Sequence, residues 1–208
     1  MSRILGAKCR LCRRESMKLF LKGARCATAK CAIERRQSVP GMHQERRRKQ
    51  EGYVIQLREK QRMKRLYGVL EGPFVRILDR AGREAGNTSE NLLRLLECRL
   101  DNVVTRMGFA PSHAAARALV GHGHVQVNGH RVDVASYVVR AGDEVRIASP
   151  KVKEQVEGWV KSARDRGAIP GWVEVSDGEL KGTVRMLPTR DDISIPVDEN
   201  LVVTYYSK

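Results

Sequence analysis

No stretch of these 208 residues approaches the roughly 18 consecutive apolar residues that mark a membrane-spanning helix. The N-terminus, Met1-Ser2-Arg3-Ile4-Leu5-Gly6, lacks the apolar run of a secretory signal. A membrane-surface protein this basic would need a lipid signal or a strongly amphipathic helix. These absences lead us to expect a cytosolic protein with no membrane partner. In that compartment thiols stay reduced, so clustered cysteines mean metal sooner than disulfides. Acidic residues are scarce in one place only. Up to Arg65 there are 5 Asp+Glu against 20 Lys+Arg, while the other 143 residues hold 19 of each. The whole formal net charge of +15 therefore lies in the N-terminal third. A basic region this concentrated is the electrostatic footprint of a polyanion partner, which points to nucleic acid.

Four of the five cysteines lie inside that basic region. Cys9-x2-Cys12 is followed, after 13 residues, by Cys26-x4-Cys31. Two close thiolate pairs joined by a short loop suit a tetrahedral Zn2+ site, and a [4Fe-4S] cluster carries a similar charge and remains open. Four unliganded or disulfide-bonded thiols are the plainer alternative. With four protein ligands no position stays open for substrate, so such a site is structural. Lys8, Arg10, Arg13, Arg14, Arg25 and Lys30 flank the cysteines and would offset the thiolate charge. Without metal, a loop so rich in Lys and Arg has little apolar surface to fold on. Cys98 stands apart and reads as a small buried apolar residue.

Pro40-Gly41 predicts a turn or extended linker. Arg46, Arg47, Arg48 and Lys49 follow as an unbroken cationic run. In a neutral protein this would be a solvated face; as a continuation of a basic segment it predicts phosphate contact. Leu57 to Gly68 reads as a helix with Met63, Leu66 and Tyr67 toward a core and Arg58, Arg62 and Arg65 on an exposed side.

From Leu92 onward the pattern changes to a compact α+β unit. Leu93, Leu96, Leu100, Val103 and Met107 follow one helical spacing, with Arg99, Asn102 and Arg106 on another face. Pro111 interrupts it, and Ser112 can cap a second helix through Ala114–Val120 that Gly121 and Gly123 stop. Asn128-Gly129 between alternating valines predicts a hairpin with Val125, Val127, Val132 and Val134 on its buried face. Gly142-Asp143 introduces a third strand, Glu144–Ile147. Val152, Val156, Trp159, Val160 and Ala163 form an amphipathic stripe. Trp172–Val175, Thr183–Leu187 and Leu201–Tyr206 read as strands. The expected architecture is α+β: a metal-stapled basic N-terminal arm, a helical domain, and a compact two-helix plus small-sheet module. The boundaries are 1–45, 46–97, 98–161, and a C-terminal extension over 162–208 whose strands pack back on the fold.

Cys98-Arg99-Leu100-Asp101-Asn102-Val103-Val104, Arg106-Met107-Gly108-Phe109-Ala110, Ala116–His124 and Val127-Asn128-Gly129 resemble the RNA-binding module named for bacterial small-subunit ribosomal protein four. The Leu57–Gly68 helix and the cysteine arm resemble the same family in its metal-binding form, so the likeness covers almost the whole chain. The resemblance implies that Arg99, Arg106, Ser112, Arg117, His122, His124, Asn128 and Arg131 face ribosomal RNA. Arg99 and Arg131 have an alternative, pairing with Asp101 or Asp133. His113 stands where the family usually carries a basic residue. His122 and His124 also resemble a metal pair, but no further ligand lies at a suitable spacing. By the same resemblance the protein is cytoplasmic, in the small ribosomal subunit, and has no catalytic activity. It binds the 5′ domain of small-subunit ribosomal RNA early in assembly and contacts ribosomal protein five of the small subunit. It lies near the path by which messenger RNA enters, contributes to decoding accuracy, and represses its own operon. Two other classes carry this module. An RNA-modifying enzyme such as a pseudouridine synthase needs a large catalytic domain that the 46 residues after Ser162 do not supply. A stand-alone stress protein that rescues stalled large subunits needs neither the cysteine arm nor the Leu57–Gly68 helix.

Overall fold

The computed structural model describes residues 6–42, 52–176 and 178–207. Along the chain run α1 (Lys8–Glu15), α2 (Ala32–Arg35), α3 (Gly52–Leu66), α4 (Glu71–Arg83), α5 (Thr88–Glu97), α6 (Leu100–Arg106) and α7 (His113–Gly121). Strands β1 (Val125–Val127), β2 (His130–Arg131) and β3 (Glu144–Ile147) precede α8 (Lys153–Asp165). Strands β4 (Val173–Val175) and β5 (Lys181–Val184) and helix α9 (Glu199–Tyr206) complete the order. These elements form two compact units, Leu93–Ser194 and the pair of segments Ser2–Leu92 with Ile195–Lys208.

In the Leu93–Ser194 unit an antiparallel sheet of order β2-β1-β3-β5-β4 carries the core on one face. Val125, Val127, Val145, Ile147 and Val184 alternate inward, as the period of a half-buried strand requires. Against them lie Leu100, Val103 and Val104 of α6 with Met107 at its C-terminal end, Leu119 and Val120 of α7, Val156 and Val160 of α8, and Trp172. The hairpin turn forms where Asn-Gly predicts it, with φ of 50° at Asn128 and 79° at Gly129. Val132 is only partly buried and Val134 is 52% exposed, because β2 ends at Arg131 and the chain leaves the sheet. Strand β5 lies over 181–184 instead of 183–187, which leaves Met186 and Leu187 exposed.

The single helix expected over 93–107 is two. Cys98 and Arg99 are drawn into a short extended pairing: Val139 N–H donates to Cys98 O at 2.8 Å, and Leu100 N–H to Tyr137 O at 2.8 Å. With that carbonyl taken, α6 starts afresh from Arg99, whose C=O accepts from Asn102 and Val103. Arg99 therefore begins a helix, whereas one continuous helix would have set it on a face with Asn102 and Arg106.

In the other unit Glu15, at the end of α1, is fully buried and faces Arg58, Arg62 and Arg65 of α3. These three guanidinium groups are 19–29% exposed, so the open cationic face expected of this helix is turned inward onto a carboxylate. Met63 and Tyr67 are buried as the pattern predicts. The tail Leu201–Tyr206 is helical, not a strand. Asp198 caps α9 by accepting from Asn200 N–H at 2.9 Å and Leu201 N–H at 3.3 Å. Lys60 Nζ lies 4.5 Å from the Tyr205 ring centroid, and Tyr206 Oη donates to Glu71 at 2.5 Å. A cap and two tertiary anchors outweigh the strand preference of Val202, Val203, Tyr205 and Tyr206. Burial raises the Glu71 carboxyl, but hydrogen bonds from Lys64, Tyr206 and Lys60 outweigh it and hold the group down to about 2.

Gly108 has φ of +77°, and a Cβ there would lie 2.7 Å from Ala163 Cβ. Gly108→Ala should cost about 1–3 kcal/mol from the clash, in addition to left-handed strain, as read from the urea midpoint at unchanged m-value.

Candidate nucleic-acid interface

Two buried carboxylates organise the arginines of the Leu93–Ser194 unit. Asp101, in the first turn of α6, accepts from Arg99 Nε at 3.1 Å and Nη2 at 2.9 Å. From α7 it accepts Arg117 Nη2 at 2.8 Å and Nε at 3.2 Å. Glu97, at the end of α5, accepts from Arg106 Nε at 2.9 Å and Nη2 at 2.6 Å, and from Asn102 Nδ2. Asn102 Nδ2 also reaches Glu97 O at 3.0 Å, tying α6 back across the break. Arg99 is 5% exposed and takes the ion pair with Asp101, one of the two roles its position allows. Arg117 and Arg106 retain 18% and 27% side-chain exposure, so both are more open to solvent than Arg99. Glu97 is the residue that periodicity misses; its only mark in the sequence is its place just before the helix break.

The remaining predicted positions follow α7 and the hairpin. Ser112 Oγ accepts from Ala115 N–H at 3.4 Å and caps α7, so this hydroxyl serves the helix. His113 beside it is neutral at pH 7: burial drives the imidazole from its usual 6.5 down to about 4. Asp101 opposes that fall, and Arg106 adds to it. A permanent cation at this position is thereby absent. His122 and His124 pack edge to face, 6.0 Å between centroids, at the far end of α7. Arg131 is exposed and lies against Gly123 so closely that a Cβ there would be 2.1 Å from its Nε. It takes neither Asp101 nor Asp133 as an ion-pair partner among the described residues. Asn128 is exposed at the hairpin tip, yet its amide donates to Asp143 at 2.9 Å and accepts from Glu144 N–H at 2.9 Å. The structure thus gathers Arg99, Arg106, Arg117 and His113 around the carboxylates, and His122, His124 and Arg131 around the end of α7. Arg46, Arg47, Arg48 and Lys49 lie outside the described residues.

Cys9, Cys12, Cys26 and Cys31 line one cavity of about 20 Å³, together with Lys8, Lys22 and Arg25. That volume admits a single ion or water. Cys12, Cys26 and Cys31 are buried, and none of the four is in a disulfide. Burial pushes the Cys12 thiol up, a backbone hydrogen bond at Leu19 opposes this, and the facing Cys26, Cys9 and Cys31 add to the rise. Lys22 N–H donates to Cys26 Sγ at 3.4 Å. Among the described residues no group of three or more His, Cys, Asp or Glu side chains has the geometry to hold a metal ion. The sulfurs surround a common space without closing on its centre. The donor set fits a soft or borderline cation, and the flanking Lys and Arg fit its thiolate charge.

A basic chain whose α+β unit frames arginines between two helices and a hairpin has the make-up of a nucleic-acid-binding protein. Residues 3–97 match the Ribosomal protein S4/S9 N-terminal domain, and residues 98–145 match the S4 domain. The chain is 52% identical to small ribosomal subunit protein uS4A of Alkaliphilus metalliredigens over the full length of both. It is likewise 52% identical to uS4 of Desulforamulus reducens and 50% identical to uS4 of Anaeromyxobacter sp. strain Fw109-5, again over both full lengths. The chain belongs to the uS4 family of small ribosomal subunit proteins.

Asp101→Ala leaves the buried Arg99 without its counter-charge and should lower stability by about 3–5 kcal/mol in urea denaturation. Arg117→Ala, at the half-open edge, should cost clearly less. For His113 the unfolded imidazole takes its proton near 6.5 and the folded one only near 4. The unfolded chain binds more protons in that window, so stability falls as pH drops from about 6.5 to about 4. His113→Gln should remove this part of the pH dependence, as measured by thermal melts at stepped pH.

Proposed function

We propose that the chain is a non-catalytic structural component of the small ribosomal subunit that binds small-subunit ribosomal RNA. The observation that carries this reading is the half-identity to small-subunit proteins along the entire chain. A modifying enzyme needs a catalytic domain beyond the module, and here residues 173–184 are spent on completing the module's own sheet. A rescue factor has no use for the N-terminal unit. On this reading Arg106, Arg117 and Arg131 contact sugar-phosphate oxygens and position the protein, with shape and 2′-hydroxyls carrying specificity. Arg99, Ser112 and Asn128 hold the surface that presents them. Arg46–Lys49 extend the same contact from the basic region.

The finer assignment is binding to the 5′ domain early in assembly, with ribosomal protein five as neighbour and messenger RNA passing close by. A contribution to decoding accuracy and repression of the protein's own operon complete it. Support for these comes from membership of the family. Cys9, Cys12, Cys26 and Cys31 would hold one Zn2+, or alternatively a [4Fe-4S] cluster, as a structural staple. The supporting observations are the shared cavity, the absence of disulfides among the four, and the surrounding cations. The metal supplies cross-linking only; these residues would fix the fold of the basic loop around it.

Full-length protein should bind small-subunit RNA more tightly than large-subunit RNA in filter assays, with every base unchanged by mass spectrometry. Arg117→Glu should weaken this binding and flatten its salt dependence; equal affinity and slope at equal stability would move the RNA face elsewhere. Protein purified without oxygen should contain one zinc per chain and no sulfide, or iron with matching sulfide. Cys26→Ser with Cys31→Ser should abolish either.

A further inference from the structure

The arginines tied to Asp101 and Glu97 are partly spent on the protein itself, whereas Arg131 and Arg146 of the same unit are not; Lys153 lies 3.9 Å from Glu157. Arg131 of β2 lies abreast of Gln126 of β1, Gln126 abreast of Arg146 of β3, and Arg146 abreast of Lys181 of β5. All four are on the sheet face opposite the valine core, since Val125, Val127, Val145 and Ile147 point the other way. At the usual strand spacing the row spans about 14 Å. Arg131 and Arg146 are exposed, and neither has an acidic partner at ion-pair distance among the described residues. Lys181 is held to Glu144 at 2.9 Å. Beyond the strand end a cleft of about 230 Å³ carries Arg146, Ser149 and Lys153 on its walls, with Glu179 among them.

Like charges set directly opposite in a sheet destabilise it, so Arg146 beside Lys181 brings the fold no benefit. A polyanion lying across the strands would relieve the repulsion. The next row on this face is acidic or neutral, Glu144 abreast of Thr183 and Thr183 abreast of Glu174, with Glu174 closed by Arg185 at 2.9 Å. It fences the cationic row on one side and confines an anionic chain to a strip. At the other end Arg131 rests on Gly123, where His122 and His124 stand. The row thus continues the surface at the end of α7.

We propose that Arg131, Gln126, Arg146 and Lys181, ending at Lys153, form a second binding strip for one sugar-phosphate strand of small-subunit ribosomal RNA. This strip runs across the sheet and rests on the reading of the chain as a binder of that RNA. Its test uses full-length Arg131→Gln with Arg146→Gln, and separately Arg146→Gln with Lys153→Gln, in filter binding to small-subunit RNA between 50 and 200 mM salt. Lys161→Gln, an exposed charge on α8, is the control. Each double variant should bind about tenfold more weakly and lose about 1–2 from the salt slope, at unchanged melting temperature. The control should match wild type. Wild-type affinity and slope in both double variants would overturn the strip and the contact assigned to Arg131, leave the contacts of Arg106 and Arg117 standing, and leave the row to an acidic protein surface. No binding by the wild-type chain would overturn the RNA reading and the strip together.

Discussion

The pairing of Asp101 with both Arg99 and Arg117 is the constraint on which the Leu93–Ser194 unit depends. It joins the start of α6 to the middle of α7 through one carboxylate at 2.8–3.2 Å. Glu97 does the same between the end of α5 and Arg106. A buried charge without its partner is costly, so neither helix can shift independently. Guanidinium forks held in this way have less freedom left to lose to any partner than free side chains have. His113 beside them is kept neutral chiefly by burial, with Arg106 adding to the fall and Asp101 opposing it.

The other unit repeats the logic with different residues. Glu15 turns three arginines of α3 inward, and Glu71 gathers Lys60, Lys64 and Tyr206. A sequence count sees +15 as a polyanion footprint. The structure shows that Arg58, Arg62 and Arg65 within it are engaged with buried Glu15, a carboxylate that the net count already includes.

Much of this was legible in the chain. Asn128-Gly129 dictates its hairpin because few other pairs accept positive φ twice, and Ser112 dictates the start of α7 through its hydroxyl. Glu144–Ile147 reads as a strand from alternation alone. What was not legible depends on distant partners. Nothing local tells that Cys98 and Arg99 will be drawn into pairing with Tyr137 and Val139, which splits the expected helix. Tyr205 and Tyr206 prefer strand locally, and Lys60 and Glu71, more than 130 residues earlier, join the Asp198 cap in turning the tail into a helix. The cationic row on the sheet was hidden for the same reason: Arg131, Arg146 and Lys181 are far apart in sequence and meet only through register. The four cysteines were visible by spacing, and the fold brings them around one cavity.

The central claim is that this chain acts by neutralising phosphates on small-subunit ribosomal RNA from a rigid, pre-paired surface. The most direct measurement is hydroxyl-radical footprinting of naked small-subunit RNA with the full-length protein. The account predicts protections confined to contiguous backbone within the 5′ domain, present without any other protein. Protections absent, or scattered evenly along the RNA, would contradict it.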